Sequence, residues 1–387
     1  LAVVMTSVTT ACGLLCFSLA ELAPIAQLGV IAPIGILLAM VYSLALLPAL
    51  LAYPHLSAVE KLRALWALGR ARCTDRRQPR LERITFYQWL KQRGQSERAI
   101  QNLWNLLVEP TLNDNVREVS AAMGLMIVQD GMLQGYHSAD LGYPLDGLLP
   151  ALGEPARQLL EQRGVGLRLG GTVRELLLES QQALGVKLAS GEVISGQYYV
   201  SALPASSLLE ILPAEVDDQP WVERLKGLET SPIVNVHLWY DRPVLEGDFY
   251  AFVDRPLQWV FNKSLILQEA HPEEINAEEQ HICISLSAAW QYIDRPREDL
   301  ARQFIDEMAE AFPLARSAEI KKVTVVKQRH ATFRCLPGAG DRRPGSRTPV
   351  ANLFLAGEWT DTGWPSTMES AVRSGYNAAR AIIEEES

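Results

Sequence analysis

Apolar and polar positions follow different rhythms along this chain, and the changes of rhythm divide it. Residues 1–53 are apolar almost throughout, with Glu21 the one charged side chain. Their second part, 22–53, exceeds the roughly 20 residues that cross a bilayer. The stretch predicts a transmembrane helical hairpin, and a buried hairpin of a soluble fold is the competing reading. Between residues 55 and 160 the spacing turns helical. Ser96 precedes a helix with Ile100, Leu103, Trp104 and Leu107, an i, i+3, i+4, i+7 stripe that marks a packed face. A loop with Gly142 and Pro144 then leads to a helix near residues 154–163.

Strand patterns follow. Val165, Leu167 and Leu169 alternate up to Gly170-Gly171, and Val173 resumes the run. Residues 191–204 read as a strand ending in an Ala-Leu-Pro turn. Ser231 to Tyr240 alternates like a half-buried strand. FYAFVD, LQWVFNKS and HICISLSAAW read as further strands, and residues 299–312 as a helix. An antiparallel sheet with one face on a ligand cavity is the expected arrangement for residues 231–330. Near the end, Leu353, Phe354 and Leu355 form a short apolar run that breaks at Ala356-Gly357, and helical spacing resumes near Ser366.

Length and charge narrow the reading. A chain of 387 residues can hold two or three domains. Its net charge of -9 argues against a nucleic-acid binder. The five cysteines are scattered and odd in number, which speaks against a disulfide framework. Cys12 and Cys16, one helical turn apart and without a histidine, read as small hydrophobes and not as a metal site. Lys61, Arg63, Arg70, Arg72, Arg76, Arg77 and Arg80 follow the apolar stretch. By the positive-inside rule they place the bulk of the chain on the cytoplasmic side of a membrane.

The candidate chemistry lies at residues 352–380. Gly357 lets the backbone turn closely around a ligand, and a helix starting after Gly363-Trp364-Pro365 aims N–H groups at that turn. On these features alone an ordinary strand-to-helix crossover accounts for the segment better. The string AGEWTDTGWPSTMESAVRSG, residues 356–375, resembles the C-terminal flavin-binding motif of the amine oxidase and phytoene desaturase superfamily. That resemblance implies FAD as cofactor. It implies Gly357 and Glu358 at the ribityl chain, and Thr367, Met368 and Glu369 under the flavin ring. GVGLRLGGTVRELLLES resembles the middle FAD strand, which implies Val173 at the adenine, with an edge hairpin as the alternative. The turn at Ala202 and Pro204 is implied on the pyrophosphate side.

SPIVNVHLWYDRPV and LQWVFNKS resemble the hydroxysqualene dehydroxylase branch of that superfamily. The implied activity is reductive dehydroxylation of hydroxysqualene to squalene, with an apolar triterpene as substrate and membrane lipid as surroundings. Phytoene-type desaturation and a non-catalytic remnant are the alternatives. Loss of hydroxyl needs a proton donor, for which Asp140, Tyr143 and His237 are candidates; His237, among apolar neighbours, also reads as a core histidine. Trp89 and Trp104 lie in a segment resembling a helical cap over the substrate tunnel. Residues 5–51 resemble the last two membrane helices of an RND/MMPL-type lipid exporter, without its transport machinery. The chain has no G-x-G-x-x-G, the turn that binds pyrophosphate in dinucleotide folds.

Together these readings imply an α/β (α+β), FAD-dependent, amine-oxidase-like two-domain fold lacking its N-terminal dinucleotide-binding βαβ unit and preceded by a transmembrane hairpin. The expected boundaries are 1–53 for the hairpin, 55–160 for the helical cap, 161–230 and 331–387 for the two parts of the FAD domain, and 231–330 for the substrate sheet.

Overall fold

The structure is a computed structural model that describes residues 50, 52–135, 138, 140–268 and 278–386. The apolar hairpin and its exporter resemblance therefore lie, but for Leu50, Ala52 and Tyr53, outside the described residues. Among the described residues no helix is long and apolar enough to cross a membrane.

The chain divides into two compact units, one of residues 1–75, 90–102 and 126–140, the other of 76–89, 103–125 and 141–387. The helical stretch expected over 55–160 is thus shared between them. In the first unit the Ala58–Arg72 helix starts in a capping box. Ser57 accepts from the Glu60 amide, and the Glu60 carboxylate accepts from the Ser57 amide at 2.8 Å. Its other oxygen takes the Ser96 hydroxyl at 2.6 Å, and these bonds hold Glu60 down at about 2.

In the second unit, β1 (Val173–Glu179) and β2 (Gln182–Leu188) form an antiparallel hairpin, and β3 (Val193–Ile194) extends it. Ser180 and Gln181 at the hairpin tip take positive φ, as a two-residue turn between twisted strands requires. β4 (Tyr199–Ser201) leaves this hairpin and pairs in parallel with a strand far along the chain, described below.

A five-stranded antiparallel sheet dominates the unit. It contains β5 (Thr230–Tyr240), β6 (Phe249–Ala251), β7 (Trp259–Asn262), β8 (Gln280–Leu286) and β9 (Ile320–Phe333), in the order β6-β7-β8-β5-β9. The alternation read from the sequence sets its faces. Val234, Val236, Leu238 and Tyr240 point to one side with Ile282, Ile284 and Leu286, and there they meet Leu300, Phe304 and Met308 of the Arg297–Ala311 helix. All of these side chains are buried, and each contributes roughly 1.5–3 kcal/mol of burial.

β10 (Leu353–Leu355) then pairs with β4, and the Met368–Glu386 helix ends the described chain. Asn352 joins the two parts of this layer: its side chain accepts from the Ala183 amide and donates to the carbonyls of Ala183 and Gln197. Residues 161–230 and 331–386 are thereby tied together although the sheet segment separates them in sequence.

Candidate cofactor and substrate site

The site is built on the turn that follows β10. Ala356 continues the parallel pairing by donating to the Ser201 carbonyl at 2.8 Å. Gly357 then takes φ +133, and a Cβ there would stand 2.5 Å from Nε1 of Trp359. Only glycine fits, because the indole must pass this close to reach the Leu203 carbonyl at 3.0 Å. The Gly357 amide donates to Ser374 Oγ at 2.7 Å, and the Ser370 hydroxyl donates to the Glu358 carbonyl at 2.9 Å. Small residues on the C-terminal helix therefore serve as its attachment to the turn.

A buried arginine completes the scaffold. Arg343, 7% exposed, donates through Nη2 to the Glu358 carbonyl at 3.0 Å and to the Thr360 carbonyl, and through Nε to the Trp359 carbonyl at 3.3 Å. Its guanidinium also lies over Phe333, 4.5 Å from the ring centroid. Burial pushes its pKa below the ordinary value. Nothing in the sequence pattern separates Arg343 from Arg342 and Arg347, its neighbours in a loop rich in Arg, Gly and Pro. Arg342 caps the Gly227 carbonyl and Arg347 pairs with Glu384 and Glu385.

A cavity of about 840 Å³ opens on this turn. Glu358, Ser366, Thr367, Met368 and Ala371 line one side, with Pro204 and Ala205 beside them. Leu209, Leu225 and Leu228 form an apolar flank, and the far side is the end of the large sheet, with Thr230, Phe333 and Trp290. Thr367 is the N-cap of the C-terminal helix: its hydroxyl accepts from the Ser370 amide at 3.2 Å. His330, which the sequence reading did not single out, also lines the cavity, with Nδ1 2.7 Å from the Thr230 hydroxyl. Its place on β9 goes unmarked in the sequence because the lysines of that strand blur the alternation.

Glu358, Thr367, Met368 and Pro204 therefore share one cavity. The structure does not bring the other expected residues there. Glu369 pairs with Arg373 at 2.7 Å on the exposed side of its helix, Ala202 is exposed, and Val173 starts β1 in the three-stranded sheet. Asp140 is exposed. Tyr143 donates to Asp248 at 2.7 Å, beside a separate cavity of about 310 Å³. His237 lies seven residues along β5 from Thr230, a distance of about 23 Å at the usual rise of a strand.

On that open face of the sheet His237 belongs to a cluster. Its Nδ1 is 3.0 Å from His281 Nε2, and its Nε2 is 3.9 Å from Cys283 Sγ. His281 stacks on Trp239 at 4.1 Å. Burial, helped by the nearby Lys263, lowers the pKa of His237. Burial, followed by His237, Lys263 and Lys322, pushes His281 down to about 4, and burial pushes the Cys283 thiol up to about 11. The cluster is uncharged at neutral pH. Trp89 and Trp104 are fully buried, each packed against Phe86.

The residues present fit a flavin on its ring side. The turn is held rigidly by backbone and side-chain bonds, Gly357 leaves no room for a Cβ beside Trp359, and the helix N-terminus and an acid meet at the cavity. Beside the Ala202–Pro204 turn, the Ser201 hydroxyl at the end of β4 is buried without a protein partner. No G-x-G-x-x-G turn stands in the sequence to hold the pyrophosphate.

A family model described as flavin containing amine oxidoreductase matches residues 36–383, beginning inside the apolar stretch. The hydroxysqualene dehydroxylase of Sinorhizobium fredii is 30% identical over 293 residues, 73% of this chain and 63% of that protein. The 15-cis-phytoene desaturase of Synechococcus elongatus is 27% identical over 314 residues, 78% of this chain and 65% of that protein. Among solved structures, cyclohexylamine oxidase from Brevibacterium oxydans matches with a TM-score of 0.61 at 18% identity, covering 86% of this chain and 76% of that one. At that identity the likeness is one of fold. The chain spans less than two thirds of the length of these two curated relatives.

Proposed function

Because the chain belongs to the family of flavin-containing amine oxidoreductases, with FAD as its cofactor, we propose that it reductively dehydroxylates hydroxysqualene to squalene. The observation that carries this reading is the single cavity in which Glu358, Thr367 and Met368 meet the apolar wall of Leu209, Leu225, Leu228 and Phe333. A hydrocarbon chain is desolvated there next to the flavin turn.

In this reaction a C–O bond breaks, the oxygen leaves as water after taking one proton, and a hydride takes its place on carbon. FAD, bound and reduced, would supply the hydride. The Glu358 carboxylate would accept hydrogen bonds from the cofactor's ribityl hydroxyls. The leucine and aromatic wall would shed its water against a bound hydrocarbon chain. His330, oriented by the Thr230 hydroxyl, is the wall residue suited to carry the proton to the departing hydroxyl. The uncharged His237–His281 pair is remote from that wall. By sequence alone, residues 1–53 anchor the chain in a membrane with its bulk on the cytoplasmic side, and carbonate-resistant pelleting lost on their deletion tests this.

The test of the reaction is product analysis. The chain, FAD and a chemical reductant are incubated separately with hydroxysqualene and with phytoene. Squalene from the first and unchanged phytoene in the second are expected. Desaturated phytoene would assign the chain to the desaturases instead, and the absence of both products from a flavin-loaded chain would mark it as a non-catalytic remnant.

A further inference from the structure

The Ala58–Arg72 helix turns an apolar line outward. Its inner face, Ala64, Ala67, Leu68 and Ala71, is buried. Val59, Leu62 and Trp66 are 57%, 67% and 55% exposed. Their i, i+3, i+7 spacing puts them on one line along the helix. On an ordinary surface helix that line is polar. Cations border it on one side: at 100° per residue Arg63 and Arg70 fall on one flank, while Lys61 and Arg72 lie more than a quarter turn from its centre, Arg72 donating to the Leu133 carbonyl at 2.7 Å. Arg70 lies 6.0 Å from the Trp66 ring centroid. The helix's one acid, Glu60, is engaged by Ser57 and Ser96.

We propose that this face docks on an anionic lipid bilayer. Val59, Leu62 and Trp66 enter the boundary between headgroups and acyl chains, and Arg63 and Arg70 reach lipid phosphates. The occupant follows from the chemistry of the face. An apolar line with a cationic border matches a lipid interface, tryptophan concentrates at that depth, and basic residues next to a membrane are attracted by acidic lipids. Two arginines beside that line, with no acid on it, also stand out in a chain of net charge -9. In sequence the helix follows directly on the apolar 1–53 stretch. The inference deepens the membrane reading given above, yet does not require residues 1–53 to span the bilayer.

The test uses the full chain with vesicles of phosphatidylcholine and phosphatidylglycerol carrying brominated acyl chains, which quench tryptophan on contact. Quenching is expected in the wild type, and its Trp66 share, read as the difference from Trp66→Phe, should fall several-fold in Leu62→Ser, in Arg63→Gln/Arg70→Gln, at high salt and with phosphatidylcholine alone. Equal quenching in wild type and Trp66→Phe overturns the proposal even where the chain sediments with vesicles, a result that leaves the anchor intact. A Trp66 signal without carbonate-resistant pelleting supports the face while the anchor fails. A concentration-dependent dimer lost in Leu62→Ser, with no vesicle effect, assigns the face to a second copy and overturns the lipid assignment.

Discussion

Arg343 donates to three successive carbonyls of the turn after β10 and to the Thr362 hydroxyl at 3.2 Å. Each hydrogen bond of a charged donor is worth about 1.5–3 kcal/mol, offset in part by the cost of burying the charge. Arg343→Leu should therefore lower stability by about 2–4 kcal/mol in urea unfolding, and Arg343→Lys should not restore it, since one ammonium cannot reproduce the planar fork. A lysine variant as stable as the wild type would remove the clamp from the account. At the histidine pair the sign runs the other way from a salt-bridged base. His281 is held down to about 4 by burial, against an ordinary value of 6.5, so the unfolded chain binds more protons between these values. Stability is complete above 6.5 and falls as pH drops toward 4. His281→Gln should flatten that slope when unfolding free energies are measured across the window. That Glu358, Thr367 and Met368 share one cavity was legible because their string carries a motif. Arg343 and His330 were not, because a lone arginine in a loop and a histidine on a lysine-rich strand show their roles only when distant segments meet.

Among the elements, the five-stranded sheet and its helix are the part most directly written in the sequence. The alternation of residues 231–240 and the spacing of residues 299–312 correspond to β5 and to the Arg297–Ala311 helix. Phe304 fills the contact between them and is fully buried. Phe304→Ala should cost about 3–5 kcal/mol, the usual range for emptying a core aromatic site, and a change below 1 kcal/mol in denaturant unfolding would contradict this packing. β9 escaped the reading: Lys321, Lys322 and Lys327 interrupt its apolar rhythm, and pairing with β5 along almost its whole length decides its state. The parallel pair of β4 and β10 is likewise a product of tertiary structure. Three residues on each strand carry little signal, and their partnership across about 150 positions leaves no local trace.

At the scale of the whole molecule, one layer assembled from residues 161–230 and 331–386 presents a turn, a helix start and an acid to the end of a separate sheet. The proposed ring side of the flavin site is built from these residues. A glycine-rich pyrophosphate turn is absent from the 387 residues, and each missing charge-assisted bond of about 1.5–3 kcal/mol lowers affinity by roughly tenfold or more. Binding to this chain should accordingly be weak and should depend on the Gly357 turn. The most direct measurement is a titration of FAD with the purified chain, followed by flavin fluorescence and absorbance. Saturable quenching with a structured absorbance band is predicted, weakened at least about tenfold in Gly357→Ala, where the new Cβ would collide with Trp359, and unchanged in His237→Ala. If Gly357→Ala, verified as folded by circular dichroism, binds FAD as the wild type does, the flavin does not sit on this turn.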